Sequence, residues 1–104
     1  MLTINDIVCY VPVYNDRDAL ERLLQKMQKL GIMVLVVDSR FRDFPQINGS
    51  DVSTDGTKEL CMQYGVHYYA FGLSREEEKF NFGLETAYRL GYKVFIYCGA
   101  DAYY

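Results

Sequence analysis

Three aspartates that lie far apart in the chain, Asp16, Asp38 and Asp101, each follow an apolar, strand-like stretch. If these stretches are parallel strands, their carboxyl ends meet at one edge of one sheet, where ligands usually bind. Clustered carboxylates raise one another's pKa unless a cation or hydrogen-bond donors compensate. Oxygen ligands at an open edge suit Mg²⁺ or Mn²⁺, which bind together with substrate phosphates. Alternatively, Asp16 begins a helix and the other two are solvated loop residues, and these residues alone leave both interpretations open.

Four short apolar segments could supply the strands that position these residues. Each is rich in β-branched or aromatic residues, as is typical of a strand buried on both faces. Pro12 cannot donate to a sheet, so we expect it near the end of the first strand. The four predicted strands are residues 4–13, 33–38, 66–71 and 93–98.

Helical periodicity separates the strands. The first helix begins at Asn15 or Asp16 and ends at Gly31, and its apolar positions are Ala19, Leu20, Leu23, Leu24, Met27 and Leu30. The second helix is predicted over residues 54–64. The third is predicted to begin with a capping box of Ser74 and Glu77 and to bury Phe80, Leu84, Ala87 and Tyr88.

The order β-α-β-α-β-α-β predicts an α/β fold, with helices on both faces of a mostly parallel sheet of about four strands. The chain of 104 residues, 50% apolar, is expected to form a single domain over residues 1–104. One connection, residues 39–53, is much longer than the usual 2 to 6 residues. This loop is either functional or a plain insertion.

Motifs along essentially the whole chain resemble the donor-binding half of the family 2 glycosyltransferases, which have the GT-A, nucleotide-diphospho-sugar transferase fold. The resemblance implies a Rossmann-like, three-layer nucleotide-binding half that is truncated relative to a full glycosyltransferase. The matching motifs are Val11-Pro12-Val13-Tyr14-Asn15, the strand ending at Asp38, Ser53-Thr54-Asp55-Gly56-Thr57, Lys79 with Asn81-x-Gly83-Leu84, and Ala100-Asp101.

The resemblance implies a nucleotide-diphospho-sugar as ligand, commonly a UDP-sugar, with an unknown acceptor. Tyr14 would stack on the base, Asp38 would hydrogen-bond it, and Asp101 would bind a Mg²⁺ or Mn²⁺ ion that bridges the diphosphate. The structural alternatives are that Tyr14 is a packing residue and that Lys79 is a surface charge. The site residues implied in this way are Pro12, Val13, Tyr14, Asn15, Asp16, Asp38, Lys79 and Asp101.

The sequence departs from the family pattern in three places. Gly99 stands at the first position of the Asp-x-Asp motif, so weaker metal binding is expected. Residues 40–52 interrupt the usual Asp-Asp-Gly-Ser-Thr run; Arg40 and Arg42 there could meet a diphosphate or face solvent. The family's catalytic base lies beyond the metal motif, so we expect a donor-binding domain with no catalytic residue of its own and leave its activity open.

Composition and the motifs that the sequence lacks argue against several partners and classes of function. The net charge of −3 argues against nucleic acid as a partner, and no apolar run approaches the length of a membrane span. Without the Ser-His-Asp, GxGxxG or Walker patterns, hydrolase, dinucleotide-binding and P-loop functions are not indicated. His67 is expected to pack or lie at the surface, and residues 76–78 are expected to form a solvated, acidic helix start.

Three cysteines without CxxC spacing predict neither a disulfide framework nor a zinc site, and hence a reducing, cytoplasmic location. The apolar residues 102–104 favour self-association into a homo-oligomer. The competing hypothesis is a non-catalytic α/β module whose sheet edge binds a protein or a small anion.

Overall fold

The computed structural model describes residues 1–99, which form an α/β fold around a four-stranded, wholly parallel sheet. The strand order is β3-β2-β1-β4, so β1 and β2 are central and β4 lies at one edge. The α/β fold with a parallel sheet, predicted from the sequence, is therefore confirmed. The strands are β1 (Ile7–Val13), β2 (Met33–Asp38), β3 (His67–Ala70) and β4 (Val94–Tyr97). The helices are α1 (Arg17–Leu30), α2 (Thr57–Tyr64) and α3 (Glu76–Arg89).

The sheet is covered on both faces because successive residues of a strand point to opposite sides. Alternate residues of β1, such as Cys9 and Val11, pack in the larger core with Leu20 and Leu24 of α1 and Leu60 of α2. On the opposite face of the sheet, a smaller core combines Val8 of β1, Leu35 of β2 and Ala87 of α3. The result is three layers, with α1 and α2 on one face of the sheet and α3 on the other.

The predicted starts of β1 and α3 were wrong, because nearby carboxylate side chains accept hydrogen bonds from backbone N–H groups. The chain starts with a short 3₁₀ helix at Ile4–Asp6, so β1 begins three residues later than expected. The predicted capping box of α3 is displaced by one residue: Glu78 Oε1 accepts the backbone N–H of Arg75 at 2.8 Å. Ser74 is instead buried, and its hydroxyl is 2.9 Å from that of Ser39.

The buried face of α3 also differs from the predicted apolar stripe. Leu84 and Tyr88 are exposed, so their predicted burial was wrong. A Cβ atom on Gly83 would lie 2.4 Å from Cε1 of Tyr10, which shows how closely the helix backbone approaches this ring. Because Gly83 has no side chain, the face of α3 that contains it can pack closely against the sheet. The buried residues of α3 are Lys79, Gly83, Thr86 and Ala87.

Two of the cysteines are joined. Cys9 of β1 and Cys98, just after β4, form a disulfide with their Cα atoms 6.2 Å apart, although the number and spacing of the cysteines did not predict a disulfide framework. The two cysteines are 89 residues apart in the sequence, and the pairing of β1 with β4 brings them close together. Cys61 is a buried free thiol, and burial raises its pKa to about 12.

In the part of the chain that the structure describes, no helix combines the length and the apolar character needed to cross a bilayer.

Candidate functional site

A cavity of about 370 Å³ lies at the carboxyl edge of the sheet. Its walls come from the β1–α1 turn, the long loop after β2, the first turns of α3 and the residues around the end of β4. Such an edge is where parallel α/β sheets bind ligands. The lining residues are Pro12, Val13, Tyr14, Asn15, Asp16, Ser39, Phe41, Phe44, Ile47, Lys79, Tyr97 and Gly99.

Lys79 is the buried cation of this cavity. Its side chain is only 1% exposed, so the interpretation of this residue as a surface charge was wrong. The ammonium nitrogen donates to the carbonyl oxygens of Val13 at 2.9 Å and Ser39 at 2.7 Å, and lies 4.6 Å from the centre of the Phe41 ring. Because an ammonium carries three N–H groups, these two hydrogen bonds leave one N–H that no hydrogen bond within residues 1–99 uses.

The protonation of Lys79 depends on two opposing effects. Burial lowers its pKa from 10.5 to about 8, while the negative charges of Asp38 and Asp16 raise it in part. The amine is therefore mostly protonated at neutral pH and begins to lose its proton only slightly above it. A buried, protonated amine that still has a free N–H favours an anionic or carbonyl-bearing ligand.

Asp38, at the end of β2, is completely buried and does not line the cavity. One carboxylate oxygen accepts the backbone N–H of Ser53 at 2.9 Å and its hydroxyl at 2.8 Å. The other accepts the Tyr68 hydroxyl at 2.7 Å, and burial together with this hydrogen bond raises the pKa of Tyr68. The sequence left open whether a cation or hydrogen-bond donors compensate the charge of Asp38. The structure places hydrogen-bond donors around this carboxylate. Asp38 thus holds the far end of the long loop.

Tyr14 and the insertion are joined by hydrogen bonds. The Tyr14 hydroxyl donates to the carbonyl of Ser50 at 2.6 Å and accepts the backbone N–H of Ile47 at 2.8 Å. The ring of Tyr14 lines the cavity while its hydroxyl fixes the loop. Tyr14 therefore has a packing role, and its place in the cavity wall is compatible with base stacking as well.

Asn15, the next residue, has left-handed backbone geometry with φ of 55°. Its backbone N–H donates to Ser53 Oγ at 2.7 Å, and its side-chain oxygen accepts the backbone N–H of Thr54 at 2.9 Å. The side-chain nitrogen is enclosed and has no hydrogen-bond partner among residues 1–99. Backbone strain and an unsatisfied amide thus coincide on one residue of the cavity wall, as is common at functional sites.

The insertion forms one wall of the cavity. Phe41, Phe44 and Ile47 contribute its apolar surface. Sequence reasoning missed these three residues; their signal was the presence of large apolar side chains in an otherwise polar loop. Arg40 is paired with Asp51 at 2.9 Å and so braces the loop internally.

The segment from residue 53 to residue 57 plays the folding role that the sequence favoured. Asp55 accepts the backbone N–H of Arg17 at 3.0 Å, which satisfies one of the free donors at the start of α1. The other carboxylate oxygen of Asp55 accepts from Thr57 at the start of α2. Because one aspartate serves two helix starts, α2 begins at Thr57 rather than at residue 54.

The predicted site residues therefore have three different outcomes. Six of them line one cavity: Pro12, Val13, Tyr14, Asn15, Asp16 and Lys79. Asp38 lies buried behind the loop, and Asp101 falls outside the described residues, as do Ala100 and the terminal residues 102–104. Asp16 is exposed.

Within residues 1–99, no group of three or more histidine, cysteine, aspartate or glutamate side chains could hold a metal ion. The divalent cation stays a prediction that depends on Asp101. His67 contacts the Tyr92 hydroxyl at 2.9 Å, as its predicted packing role requires, and burial lowers its pKa.

Comparison of the chain with protein-family models, with curated proteins and with solved structures found no match. The resemblance to family 2 glycosyltransferases therefore stays a prediction from the sequence motifs.

Proposed function

We propose that this chain binds the nucleoside-diphosphate part of a nucleotide-sugar, of the UDP-sugar type, in the cavity at the carboxyl edge of the sheet. The observation that carries the proposal is the buried ammonium of Lys79 in the wall of this cavity, held by two backbone carbonyls with one N–H to spare. The motif resemblance supplies the ligand class.

The charges support an anionic ligand. Asp16 and Lys79 are the charged residues among those that line the cavity within residues 1–99. Asp16 is exposed at the rim, whereas Lys79 is enclosed, and an enclosed charge interacts more strongly because it is less screened. A diphosphate oxygen at the free N–H of Lys79 would replace part of the hydration that this amine has lost.

The aromatic side chains support a base. Tyr14, Phe41 and Phe44 present rings along the cavity, and stacking on an aromatic ring contributes about 1 to 3 kcal/mol per base. Because the oxygens of Asp38 are taken up by Ser53 and Tyr68, we assign base recognition to these rings rather than to Asp38.

The size of the cavity limits what it can enclose. A volume of about 370 Å³ is near the lower end of the range of roughly 300 to 1,000 Å³ typical of small-molecule sites. We therefore propose that the nucleotide is enclosed and that the sugar extends outward. The proposal concerns binding: we assign no catalytic residue, and a divalent cation would be held by Asp101 together with the diphosphate.

Calorimetric titration with UDP, UDP-glucose and pyrophosphate, each with and without Mn²⁺, tests the proposal. We expect UDP and UDP-glucose to bind with similar affinity and pyrophosphate at least tenfold more weakly. Lys79→Met should reduce UDP affinity at least tenfold, and Phe44→Ala, which changes a side chain that is 56% exposed, about fivefold. Lys58→Met removes an exposed lysine from α2 and is the matched control.

Two results would contradict nucleotide binding. One is the absence of heat with UDP both with and without Mn²⁺ in a folded protein. The other is equal affinity for pyrophosphate and UDP that Phe44→Ala leaves unchanged, which would instead support the small-anion module considered as the competing hypothesis.

A further inference from the structure

A covalent bond lies beside the cavity at the carboxyl edge of the sheet. The disulfide joins Cys9 in β1 to Cys98, the first residue after β4. The residues on either side of Cys98 in the sequence, Tyr97 and Gly99, both line this cavity. The disulfide therefore fixes the chain at the point where the end of β4 supplies one wall of the cavity.

This wall is otherwise held by a short edge strand. β4 has four residues and pairs with β1, and no strand pairs with its outer side among residues 1–99. Its last two residues, Ile96 and Tyr97, are 42% and 53% exposed. The Cys98 N–H donates to the carbonyl of Tyr10 at 2.8 Å, and the rings of Tyr97 and Tyr10 are 5.6 Å apart. Short, exposed segments open at low free-energy cost, so the disulfide has a large part in holding the wall in place.

The two cysteines of the disulfide differ in exposure. Cys9 is 1% exposed, whereas Cys98 is half-buried. A thiol reductant therefore reaches the disulfide from the side of Cys98. Partly exposed disulfides are the ones that exchange with external thiols, whereas fully enclosed structural disulfides resist reduction.

We propose that reduction and re-formation of the disulfide between Cys9 and Cys98 regulate ligand binding in this cavity, an inference that rests on the proposed function. A thiolate of a dithiol reductant attacks the sulfur of Cys98 and forms a new S–S bond with it. The bond to Cys9 breaks, and the Cys9 sulfur leaves with the electron pair and takes up a proton. The second thiol of the reductant then displaces Cys98, which is protonated in turn. The two cysteines gain two electrons and two protons, and the dithiol becomes a cyclic disulfide.

Reduction weakens binding because it lowers the population of molecules whose cavity wall is in place. In the reduced chain, Tyr97 and Gly99 leave the wall for part of the time, and only the remaining molecules bind the ligand tightly. The apparent dissociation constant rises by the inverse of the binding-competent fraction. If that fraction falls to about one-fifth, UDP affinity falls about fivefold.

Calorimetric titration with UDP tests the regulation, on the chain oxidised with glutathione disulfide, reduced with dithiothreitol, and then oxidised again. Alkylation of the denatured chain followed by mass spectrometry counts the free thiols, which are Cys61 alone in the oxidised form and all three cysteines in the reduced form. We expect the reduced form to bind UDP about fivefold more weakly, with full recovery on reoxidation. Equal affinity of the two forms, or three free thiols after oxidation, would overturn the proposal.

Two variants separate the disulfide from the remaining thiol. Cys9→Ser with Cys98→Ser should bind UDP as weakly as the reduced wild type and should not respond to dithiothreitol. Cys61→Ala keeps the disulfide, so its UDP affinity should respond to dithiothreitol as that of the wild type does. A double variant whose UDP affinity still falls on addition of dithiothreitol would contradict the assignment to this disulfide.

Hydrogen exchange of the wild type without ligand reports on the wall directly and requires no variant. The Cys98 amide donates to Tyr10 just after β4, and the Phe71 amide donates to Asp38 at 2.9 Å just after β3, the other edge strand. Reduction should accelerate exchange at Cys98 about tenfold more than at Phe71. Equal acceleration at both amides would show a general loss of stability and overturn the proposal. Absence of UDP binding by both the oxidised and the reduced form would instead refute the proposed function itself.

Discussion

The two ends of the sheet are built differently. At the amino end, where a helix leads into a strand, the connections are short: residues 31–32 join α1 to β2, residues 65–66 join α2 to β3, and residues 90–93 join α3 to β4. At the carboxyl end, residues 39–56 alone form a connection of 18 residues. Long connections at this end can fold over the sheet edge, and they supply a wall of the proposed site.

The two ends of the sheet also differ in the charged side chains that they contain. A cavity of about 410 Å³ at the amino end is lined by residues such as Leu24, Met27 and Tyr64, with no charged side chain among the lining residues that the structure describes. The carboxyl end contains the buried Lys79 and, behind it, the buried Asp38. We infer that the amino end serves stability, whereas the carboxyl end combines stability with the proposed ligand binding. Four predictions test this division.

The largest effect is expected at the amino end. Leu24 is 1% exposed, and Leu24→Ala should lower the free energy of unfolding by about 3 kcal/mol because it removes buried apolar contacts and enlarges a cavity. Urea denaturation measures the change, with the exposed Met62→Ala as control. UDP affinity under conditions where the variant stays folded should be unchanged, and a tenfold loss would contradict the division.

At the carboxyl end, Asp38→Asn should cost about 2 kcal/mol, because an amide NH₂ then faces donors from Ser53 and Tyr68. The long loop should also loosen, so trypsin should cleave after Arg42 faster than in the wild type. Glu59→Gln, which changes an exposed carboxylate of α2 away from the cleavage site, is the control. Unchanged stability together with unchanged cleavage would show that Asp38 does not hold the loop.

The third prediction concerns pH and Lys79. Since the pKa is about 8 in the folded chain and 10.5 without burial, the unfolded chain binds more protons between these values. The stability of the wild type should therefore rise relative to Lys79→Met, by on the order of 1 kcal/mol from pH 7.5 to 9.5. Differencing the two proteins removes the opposite contribution of Cys61, whose raised pKa lowers stability above pH 9 in both.

The same titration affects the ligand. UDP affinity should fall as pH rises through 8, because Lys79 loses the positive charge that would meet the diphosphate. Denaturation and calorimetry over the same pH range measure the two effects. A relative stability that falls between pH 8 and 9.5 would reverse the sign and contradict burial of the charged amine.

The smallest effect is expected for Arg40→Gln. Arg40 is 15% exposed and pairs with Asp51, which is 37% exposed, and we expect the pair to contribute at most about 1 kcal/mol. UDP affinity should change less than twofold, which calorimetry can resolve. A tenfold loss of affinity, with Asp51→Asn remaining near wild type, would instead show that Arg40 contacts the diphosphate.

Parts of the site could be predicted because they are local. Pro12 lies next to the last residue of β1, as its missing N–H requires, and residues 53–57 bind the starts of two helices, as their side chains suggest. Lys79 was ambiguous because a lysine on a helix is usually solvated, and nothing nearby in sequence shows which carbonyls it will meet. The rings of the insertion were missed because an aperiodic loop has no pattern from which to predict a direction.

The sequence by itself determined the order of strands and helices, and through it the parallel sheet, because apolar runs and helix-ending residues are properties of the local sequence. Only the tertiary structure decided which groups meet. Val13 and Ser39 converge on the amine of Lys79, 66 and 40 residues away, and Tyr68 reaches Asp38 across 30 residues. Such contacts depend on strand order and loop path, which side-chain chemistry along the chain does not specify.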